Sequence, residues 1–347
     1  MSGLDVAVDV PETGATAHRG PWALALRRLV RNRTAMASLA VLIVIVLSAF
    51  AAPWYAANVA EVDPFESNVT GTTTVDGETV PVIQPNPSGL GSTPIGPTLE
   101  AHYFLGADSQ GRDVMARLLY GGRTSLIVSF VAAILTALVA TVVGLAAGFF
   151  GGRLDGLISR VLGIIWAFPV YLLAISLSTV LLLQGISIGP IDVNPASLWL
   201  PIIILGFVYV PYVARPVRGE ALSIRRREYM EAAIAQGAND RQLILGEMLP
   251  NVLPIVLVFL PLMIATDIIT EASLSYLSIG VQAPNASWGT LVEDGQNLLY
   301  TRPWVSIAPG ILIALTVLAL NVLGDGVRDA LDPRGSLRIR RRTRRMS

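Results

Sequence analysis

Six apolar runs, each long enough to cross a lipid bilayer, limit what this chain can fold into. A helix needs about 20 apolar residues to span the hydrocarbon core. Lipid tolerates only helices and closed barrels, and these runs lack the period-two alternation of barrel strands. The sequence therefore predicts an all-α polytopic membrane protein. The six predicted transmembrane helices are Ala35–Tyr55, Leu126–Phe150, Val161–Leu183, Leu198–Val213, Val252–Ile279 and Val305–Leu323.

The composition agrees with a lipid environment and excludes several kinds of chemistry. Only 14% of the 347 residues are charged, whereas about a quarter are charged in a soluble domain. There is no Cys, and the two histidines, His18 and His102, lie far from any acidic cluster with ligand spacing. There is also no Lys, which a Walker A loop needs to reach ATP phosphates. We therefore expect this chain to bind no cofactor or metal and to perform no catalysis, and its net charge of zero predicts no nucleic acid partner.

The arginines predict how the spans are oriented. They concentrate before the first span and after the second, fourth and sixth spans, and these four segments lie on one side of the membrane if there are six spans. The positive-inside rule then places both termini in the cytoplasm. The predicted segments are a cytoplasmic N-terminal segment at 1–34, the first helix at 35–55, an extracytoplasmic loop at 56–125, a five-helix core at 126–323 with a cytoplasmic loop at 215–251, and a cytoplasmic Arg-rich tail at 324–347.

The regions around the first span carry further expectations. Four arginines, the apolar run and Ala49–Ala51 resemble a secretory signal with its cleavage site, so the first span is either retained or removed. The 56–125 loop is rich in Pro, Gly and Thr, and Asp76-Gly77 predicts a tight hairpin turn. We expect residues 1–20 to be disordered and the Arg-rich tail to lie near anionic lipid.

The cytoplasmic loop before the fifth span is polar but has strong helix signals. Ser223 is a candidate N-cap for a helix over Arg225–Gln236, and Gly237 is a natural stop because it can adopt the left-handed cap. Within that helix, Ala232 and Ala233 form a small, smooth surface that allows another backbone to approach closely.

A second helix is predicted after the glycine. Asn239 and Gln242 have the spacing of a capping box, and the helix is expected to run to about Met248. Pro250 suits the first turn of the fifth span. The loop is therefore predicted to fold as a helix, a glycine turn, a second helix and then the membrane span.

This loop is similar to the EAA motif of ABC-importer permeases. The stretch is EAAIAQGANDRQLILGEMLPN, and it departs from the motif at Glu247, where the family usually has Ile or His. The resemblance implies that the loop docks in a groove of an ATPase subunit and couples the two proteins. The predicted ATPase-coupling residues are Glu228, Glu231, Ala232, Ala233, Gly237, Leu249 and Pro250.

Other stretches resemble the C-type permeases of dipeptide and oligopeptide importers. They are RRLVRNRTAMASLAVLIV, HYFLGADSQGRDVMARLLYGGRTSL with Ala107 in place of the usual Thr, TEASLSYLSIGVQAPNASWG and GDGVRDALDPR. The resemblance covers residues 22–335 and implies the type I ABC-importer (MetI-like) fold in a bacterial inner membrane, working by alternating access. It implies three kinds of partner besides membrane lipid, namely a homologous B-type permease, one or two ATPases that hold ATP and Mg, and an extracytoplasmic binding protein. It leaves open other cargo, such as a nickel chelate, glutathione or an oligosaccharide.

Two acids lie inside the fifth predicted span. Asp267 and Glu271 are four residues apart and therefore share a helix face, and each charge costs on the order of 3 kcal/mol within a membrane. They line the substrate path or make structural hydrogen bonds, and the sequence favours neither role. An ion-coupled secondary transporter, with these acids as the ion site, is a second class of function. The small residues Gly144 and Gly148 have the GxxxG spacing of helix packing.

Overall fold

The computed structural model describes residues 21–86, 91–98, 100–184, 186–188, 191–193 and 197–332. The helices within these residues are α1 Pro21–Arg31, α2 Arg33–Phe50, α3 Ala52–Asn58, α4 Val114–Phe150, α5 Gly152–Ala167, α6 Val170–Gln184, α7 Trp199–Val208, α8 Val210–Arg225, α9 Glu228–Ala235, α10 Asp240–Gln242, α11 Leu249–Tyr276, α12 Trp288–Asp294 and α13 Trp304–Leu331. The strands are β1 Thr72–Val75, β2 Glu78–Pro81, β3 Ile83–Pro85, β4 Ser92–Pro94, β5 Ile186–Ile188 and β6 Ile191–Val193. The predictions for residues 1–20 and for the tail beyond Asp332 lie outside the described residues.

The helices confirm the predicted all-α class and are consistent with six spans. Among the described residues, four helical rods are long and apolar enough to cross a membrane, namely α2, α4, the continuous rod Asp240–Tyr276 and α13. Two bent pairs, α5 with α6 and α7 with α8, raise the number to six if each pair is one span.

The third and fourth spans are bent, which the apolar runs did not predict. α5 and α6 meet at 94° around Phe168 and Pro169, and Phe168 has an extended backbone, as residues before a proline usually do. α7 and α8 meet at 41° around Tyr209, two residues before Pro211. Proline removes a helical hydrogen bond, so both bends follow from local sequence.

Helix α4 is longer than the second apolar run, because it begins at Val114 rather than Leu126. Asp113 caps its start, and the side chain accepts a hydrogen bond from the Ala116 backbone N–H at 2.7 Å. The first turns contain Arg117 and Arg123, whose charges interrupt the apolar pattern. Hydropathy alone therefore misses the first three turns of this helix.

The core of the bundle forms where α4 crosses α8. A methyl group at Gly144 would come within 2.5 Å of Val217 Cγ1, and one at Gly148 would overlap the Cβ of Ala221. The two glycines therefore allow the close helix contact that their spacing predicted. On its other side α4 contacts α11, which packs against α13.

The two ends of the bundle differ in structure. The hairpin end carries β1–β2, β3–β4, β5–β6 and α12. Asp76 and Gly77 both have positive φ angles, 51° and 83°, which confirms the predicted tight turn between β1 and β2. The terminal end carries α1, α9 and the last turns of α8 and α13.

Candidate functional site

The segment at 226–248 lies at the terminal end and is anchored at a few positions. Met230, Leu243 and Met248 are buried in the same apolar cluster as residues of α4, α8 and α11. Beside and between these anchors, Tyr229, Ile234 and Leu245 are exposed. The segment therefore presents a mixed polar and apolar surface while it is fastened to the main helices.

The turn in this segment has the predicted chemistry. Gly237 has a φ of +86° and its N–H donates to the Ile234 carbonyl, while the N–H of Ala238 donates to the Ala233 carbonyl. This pair of bonds is a Schellman cap, which requires the left-handed conformation that glycine adopts easily.

The helix after the turn begins with the predicted capping box. The Gln242 N–H donates to Asn239 Oδ1, and the Asn239 N–H donates to Gln242 Oε1, both at 2.9 Å. The two bonds satisfy N–H groups that a helix start otherwise leaves free.

Two expectations about the segment are wrong. Ser223 does not cap a helix, because it lies inside α8, which continues to Arg225 so that Ala221 and Ile224 can pack in the core. The second helix does not stop near Met248. It passes through a π-helical turn, Leu243–Met248, into α11, so the region Asp240–Tyr276 is one rod.

The structure spreads the predicted coupling residues over two environments. Glu228, Glu231, Ala232, Gly237 and Pro250 are exposed. Ala233 and Leu249 are only partly exposed and pack against the apolar cluster formed with α4, α8 and α11, so the two adjacent alanines do not form one shared surface. The docking role of all seven residues stays a prediction.

Glu271 has a complete set of hydrogen bonds inside the bundle. Its two carboxylate oxygens accept from Ser125 Oγ at 2.7 Å and from Ser275 Oγ at 2.6 Å. The serines in turn accept from the backbone N–H groups of Trp288 and Val281. Glu271 therefore joins α4, α11 and the chain around the start of α12.

Asp267 lies one turn away and is fully buried, but neither of its carboxylate oxygens has a hydrogen-bond partner among the described residues. The hydroxyl of Ser129, one turn beyond Ser125 on α4, is also buried and unpartnered. Nearby, the Tyr209 and Thr270 hydroxyls share a 2.8 Å hydrogen bond at the α7–α8 bend. The two acids, for which the sequence left the same two roles open, thus differ in environment. Glu271 is hydrogen-bonded, whereas Asp267 has no partner among the described residues.

Four charged residues at the hairpin end form a compact group, the Arg–Asp cluster, which consists of Asp108, Arg112, Arg117 and Asp294. Arg112 Nε lies 2.7 Å from Asp108 Oδ2, and Arg117 Nη2 lies 2.7 Å from Asp294 Oδ2. The two cross contacts are 3.1 and 3.3 Å. No sequence pattern predicted a role for these residues, although Asp108, Arg112 and Arg117 lie in HYFLGADSQGRDVMARLLYGGRTSL. Their partner Asp294 is too distant in sequence to be inferred.

A third acid, Asp113, stabilises the same end. Asp113 accepts from the Tyr103 N–H at 2.7 Å through the oxygen that does not cap α4. Burial raises the pKa of the Asp113 carboxyl, while the N–H groups of Ala116 and Tyr103 oppose that shift. The loop before α4 is thereby fixed to the first turn of the helix.

The terminal end also contains an open cavity of about 690 Å³. It lies between α8, the start of α11 and the end of α13, and has an apolar floor that includes Phe259 and Leu262 and a rim that includes Glu220 and Arg328. Neither Asp267 nor Glu271 lines this cavity. In the part of the chain that the structure describes, no group of three His, Cys, Asp or Glu residues is arranged to hold a metal ion.

Two family models match the sequence. Residues 140–336 match the model described as binding-protein-dependent transport system inner membrane component, and residues 20–71 match the N-terminal TM domain of oligopeptide transport permease C.

Curated relatives match along most of the chain. It is 35% identical to the oligopeptide transport system permease protein OppC of Haemophilus influenzae. The 316 matched residues cover 91% of this chain and 89% of that protein. It is 36% identical to the dipeptide transport system permease protein DppC of Alkalihalophilus pseudofirmus. The 314 matched residues cover 90% of this chain and 90% of that protein.

A solved structure shares the fold. The inward-facing MetNI methionine ABC transporter matches with a TM-score of 0.51 at 19% identity, over 63% of this chain and 98% of that chain. At this identity the similarity concerns the fold alone.

Proposed function

This chain belongs to the family of binding-protein-dependent transport system inner membrane components, and we propose that it is the permease subunit of an ATP-driven importer for dipeptides or oligopeptides. As a member of this family it is a multi-pass membrane component of a transport system rather than an enzyme. The observation that carries the peptide assignment is the match of 90 to 91% of the chain to relatives named for oligopeptide or dipeptide transport.

The 226–248 segment docks on an ATPase subunit in this proposal, and ATP and Mg are bound by one or two such subunits. Glu228 and Glu231 are exposed on α9, and no ion pair within the described residues occupies either carboxylate. The apolar side chains of Tyr229 and Ile234 are exposed beside them. A surface of this kind suits a protein groove with basic and apolar contacts.

The connection from this segment into the membrane supports mechanical coupling. The 37 residues of Asp240–Tyr276 form one helical rod, about 55 Å long at 1.5 Å per residue. The rod starts directly after the Gly237 turn, and near its far end Glu271 contacts α4 through Ser125. Closure of the ATPases would move the segment and tilt this rod, which shifts the bundle between two global states.

The charges support a cytoplasmic terminal end. Arg27, Arg31 and the run at 225–227 are exposed there. At the hairpin end, by contrast, Arg112 and Arg117 are neutralised by the two acids of the Arg–Asp cluster. The excess of positive charge therefore favours both termini in the cytoplasm. The hairpin end then faces a substrate-binding protein outside the inner membrane.

The outer face of α5 and its bend suits a second, homologous permease. Among its described residues α5 fully buries only Leu162. Trp166 is half-exposed, stacks on Tyr212 at 6.0 Å between ring centroids and lies under the guanidinium of Arg215 at 5.1 Å. An exposed arginine on an aromatic stack at the cytoplasmic end of the fourth span fits a protein contact or a wet cavity better than lipid tails.

The coupling part of the proposal is tested by purifying the tagged chain from its own membranes and identifying the proteins that follow it. Gly237→Val should abolish recovery of P-loop ATPases, because its φ of +86° is strained for valine. Gly77→Val is the matched control, since Gly77 has a φ of +83° and also has no neighbouring atom within 4 Å, but lies at the hairpin end. Equal ATPase recovery with both variants would contradict the docking role.

The transport part is tested with the purified complex in vesicles. Uptake of labelled dipeptides and oligopeptides should require ATP and the binding protein that follows the chain. Peptide uptake driven by an ion gradient without ATPases would overturn the proposal and make Asp267 the centre of an ion-coupled mechanism. ATP-dependent uptake of a nickel chelate, glutathione or an oligosaccharide, with no peptide uptake, would retain the importer and change its cargo.

A further inference from the structure

Helix α1 is a two-sided helix that ends where the first span begins. Only Asn32 separates α1 from α2, and its side-chain Oδ1 accepts from the Ala35 N–H at 3.2 Å. Because α2 is long and apolar enough to cross a membrane, α1 must lie at the level where the bilayer meets water.

One side of α1 is fastened to the protein. Leu29 packs beside Gly326 of α13, and Arg28 Nη1 donates to the carbonyl oxygen of Asp332 at 3.2 Å. These contacts hold the helix against the terminal end and set which of its remaining faces point outward.

The outward faces differ in chemistry, although Leu24, which is 45% exposed, lies on the arginine side. Trp22, Leu26 and Val30 follow one another every four residues, so they form a single strip, and their exposed fractions are 48, 63 and 57%. Trp22 lies at the protein edge of this strip, because it also lines an open cavity with Pro250 of α11 and Leu331 of α13. Arg27 and Arg31 are also four residues apart and exposed, and form a strip on the other outward side. From Pro21 to Arg33 the chain has four arginines and no acid.

We propose that α1 lies in the membrane interface, with Leu26 and Val30 among the acyl chains, Trp22 at the boundary between lipid and protein, and Arg27 and Arg31 on anionic phospholipid headgroups. A helix with an aromatic and aliphatic strip beside an arginine strip binds such an interface in its plane. The direct continuation into a span favours the bilayer over a protein groove as the partner. The site is independent of the cargo.

The absence of Cys from the sequence allows a direct test by site-specific spin labelling. The full chain with its co-purified partners carries a single label at Leu26→Cys or, as the matched neighbour, at Arg27→Cys, in nanodiscs of phosphatidylcholine with phosphatidylglycerol. The label at 26 should be more accessible to oxygen, which concentrates in lipid, and the label at 27 more accessible to a water-soluble nickel chelate. Elution and partner recovery like those of the unlabelled complex establish that each labelled chain is folded.

Three results would overturn the proposal. Nickel accessibility at both positions would place α1 in water. A label at 26 that neither reagent reaches would bury the strip against protein. A label at 26 that the nickel chelate reaches in the chain stripped of ATPases, but not in the complex, would make α1 a protein-docking surface.

The role of anionic lipid is tested separately with Arg27→Gln/Arg31→Gln. At about 1 kcal/mol per arginine, the double variant should weaken the interface-bound state of α1 roughly 30-fold in nanodiscs containing phosphatidylglycerol. In phosphatidylcholine alone, the variant should match the parent chain. Equal oxygen-to-nickel ratios for parent and variant in both lipids would refute headgroup binding.

Discussion

The ion pairs at the hairpin end of this bundle are more deeply buried than those at the terminal end. At the hairpin end, Arg117 is almost completely buried and contacts both Asp108 and Asp294. At the terminal end, the ion pair between Arg227 and Glu220 is 3.4 Å long and its side chains are 50 and 30% exposed.

This difference indicates that the charged groups at the hairpin end have their partners within the single chain, whereas those at the terminal end are more exposed to a partner protein. Removing one partner of a buried ion pair costs about 3–5 kcal/mol, whereas an exposed pair contributes about 0–1 kcal/mol. The hairpin end is therefore part of the stable fold. At the terminal end Arg218 and Asp155 form a partly buried pair, but Glu228 and Glu231 remain exposed, as a surface that meets a partner must.

The largest effect is expected from breaking the Arg–Asp cluster. Asp108→Ala leaves Arg117 buried with one acid fewer, and also removes the acceptor of the Gln110 and Arg112 backbone N–H groups. It should lower the free energy of unfolding by about 3–5 kcal/mol, measured by thermal unfolding in nanodiscs. Arg227→Gln is the terminal-end control and should change it by less than about 1 kcal/mol. Similar losses for both variants would remove the contrast between the two ends.

The next largest effect is expected where α4 crosses α8. Gly148→Val inserts a branched side chain onto Ala221, which overpacks the contact and should cost about 1–3 kcal/mol. Gly156→Val in α5 is the matched control, because no atom lies within 4 Å of a Cβ added at that position. If both variants unfold at the same temperature, the helices do not need this close approach.

A smaller difference is expected between the two buried acids. Glu271→Ala removes the acceptor of Ser125 and Ser275 and should cost about 1–3 kcal/mol. Asp267→Asn removes no hydrogen bond that the described residues make and replaces a buried ionisable carboxyl with a neutral amide, so stability should be unchanged or higher. A larger loss for Asp267→Asn than for Glu271→Ala, in the same unfolding measurement, would show that Asp267 has an essential partner.

The smallest effect on folding is expected from Glu228→Gln/Glu231→Gln. Both side chains are exposed and unpaired within the described residues, so the free energy of unfolding should change by less than about 0.5 kcal/mol. ATPase recovery should nevertheless fall. A loss of stability without a loss of ATPase binding would reverse the interpretation of this surface.

Local signals in the sequence predicted several details of the candidate site correctly. The Gly237 turn, the Asn239–Gln242 capping box and the position of Pro250 in the first turn of α11 all depend on interactions within a few residues. The prediction that Ser223 caps a helix was wrong because interactions with other helices decide the structure there. Its capping ability is local, but the burial of Ala221 and Ile224 against other helices keeps α8 intact past it.

The sequence alone determined the all-α class and which six segments are apolar enough to span a membrane. Lipid imposes its length and hydrogen-bond requirements on each segment separately. Only the tertiary structure decided how Asp267 and Glu271 differ, since the serine that satisfies Glu271 from α4 lies 146 positions away. It likewise decided that Asp294 completes the Arg–Asp cluster, 177 positions from Arg117. Partners so far apart in sequence meet only when the helices pack, and no local pattern records that meeting.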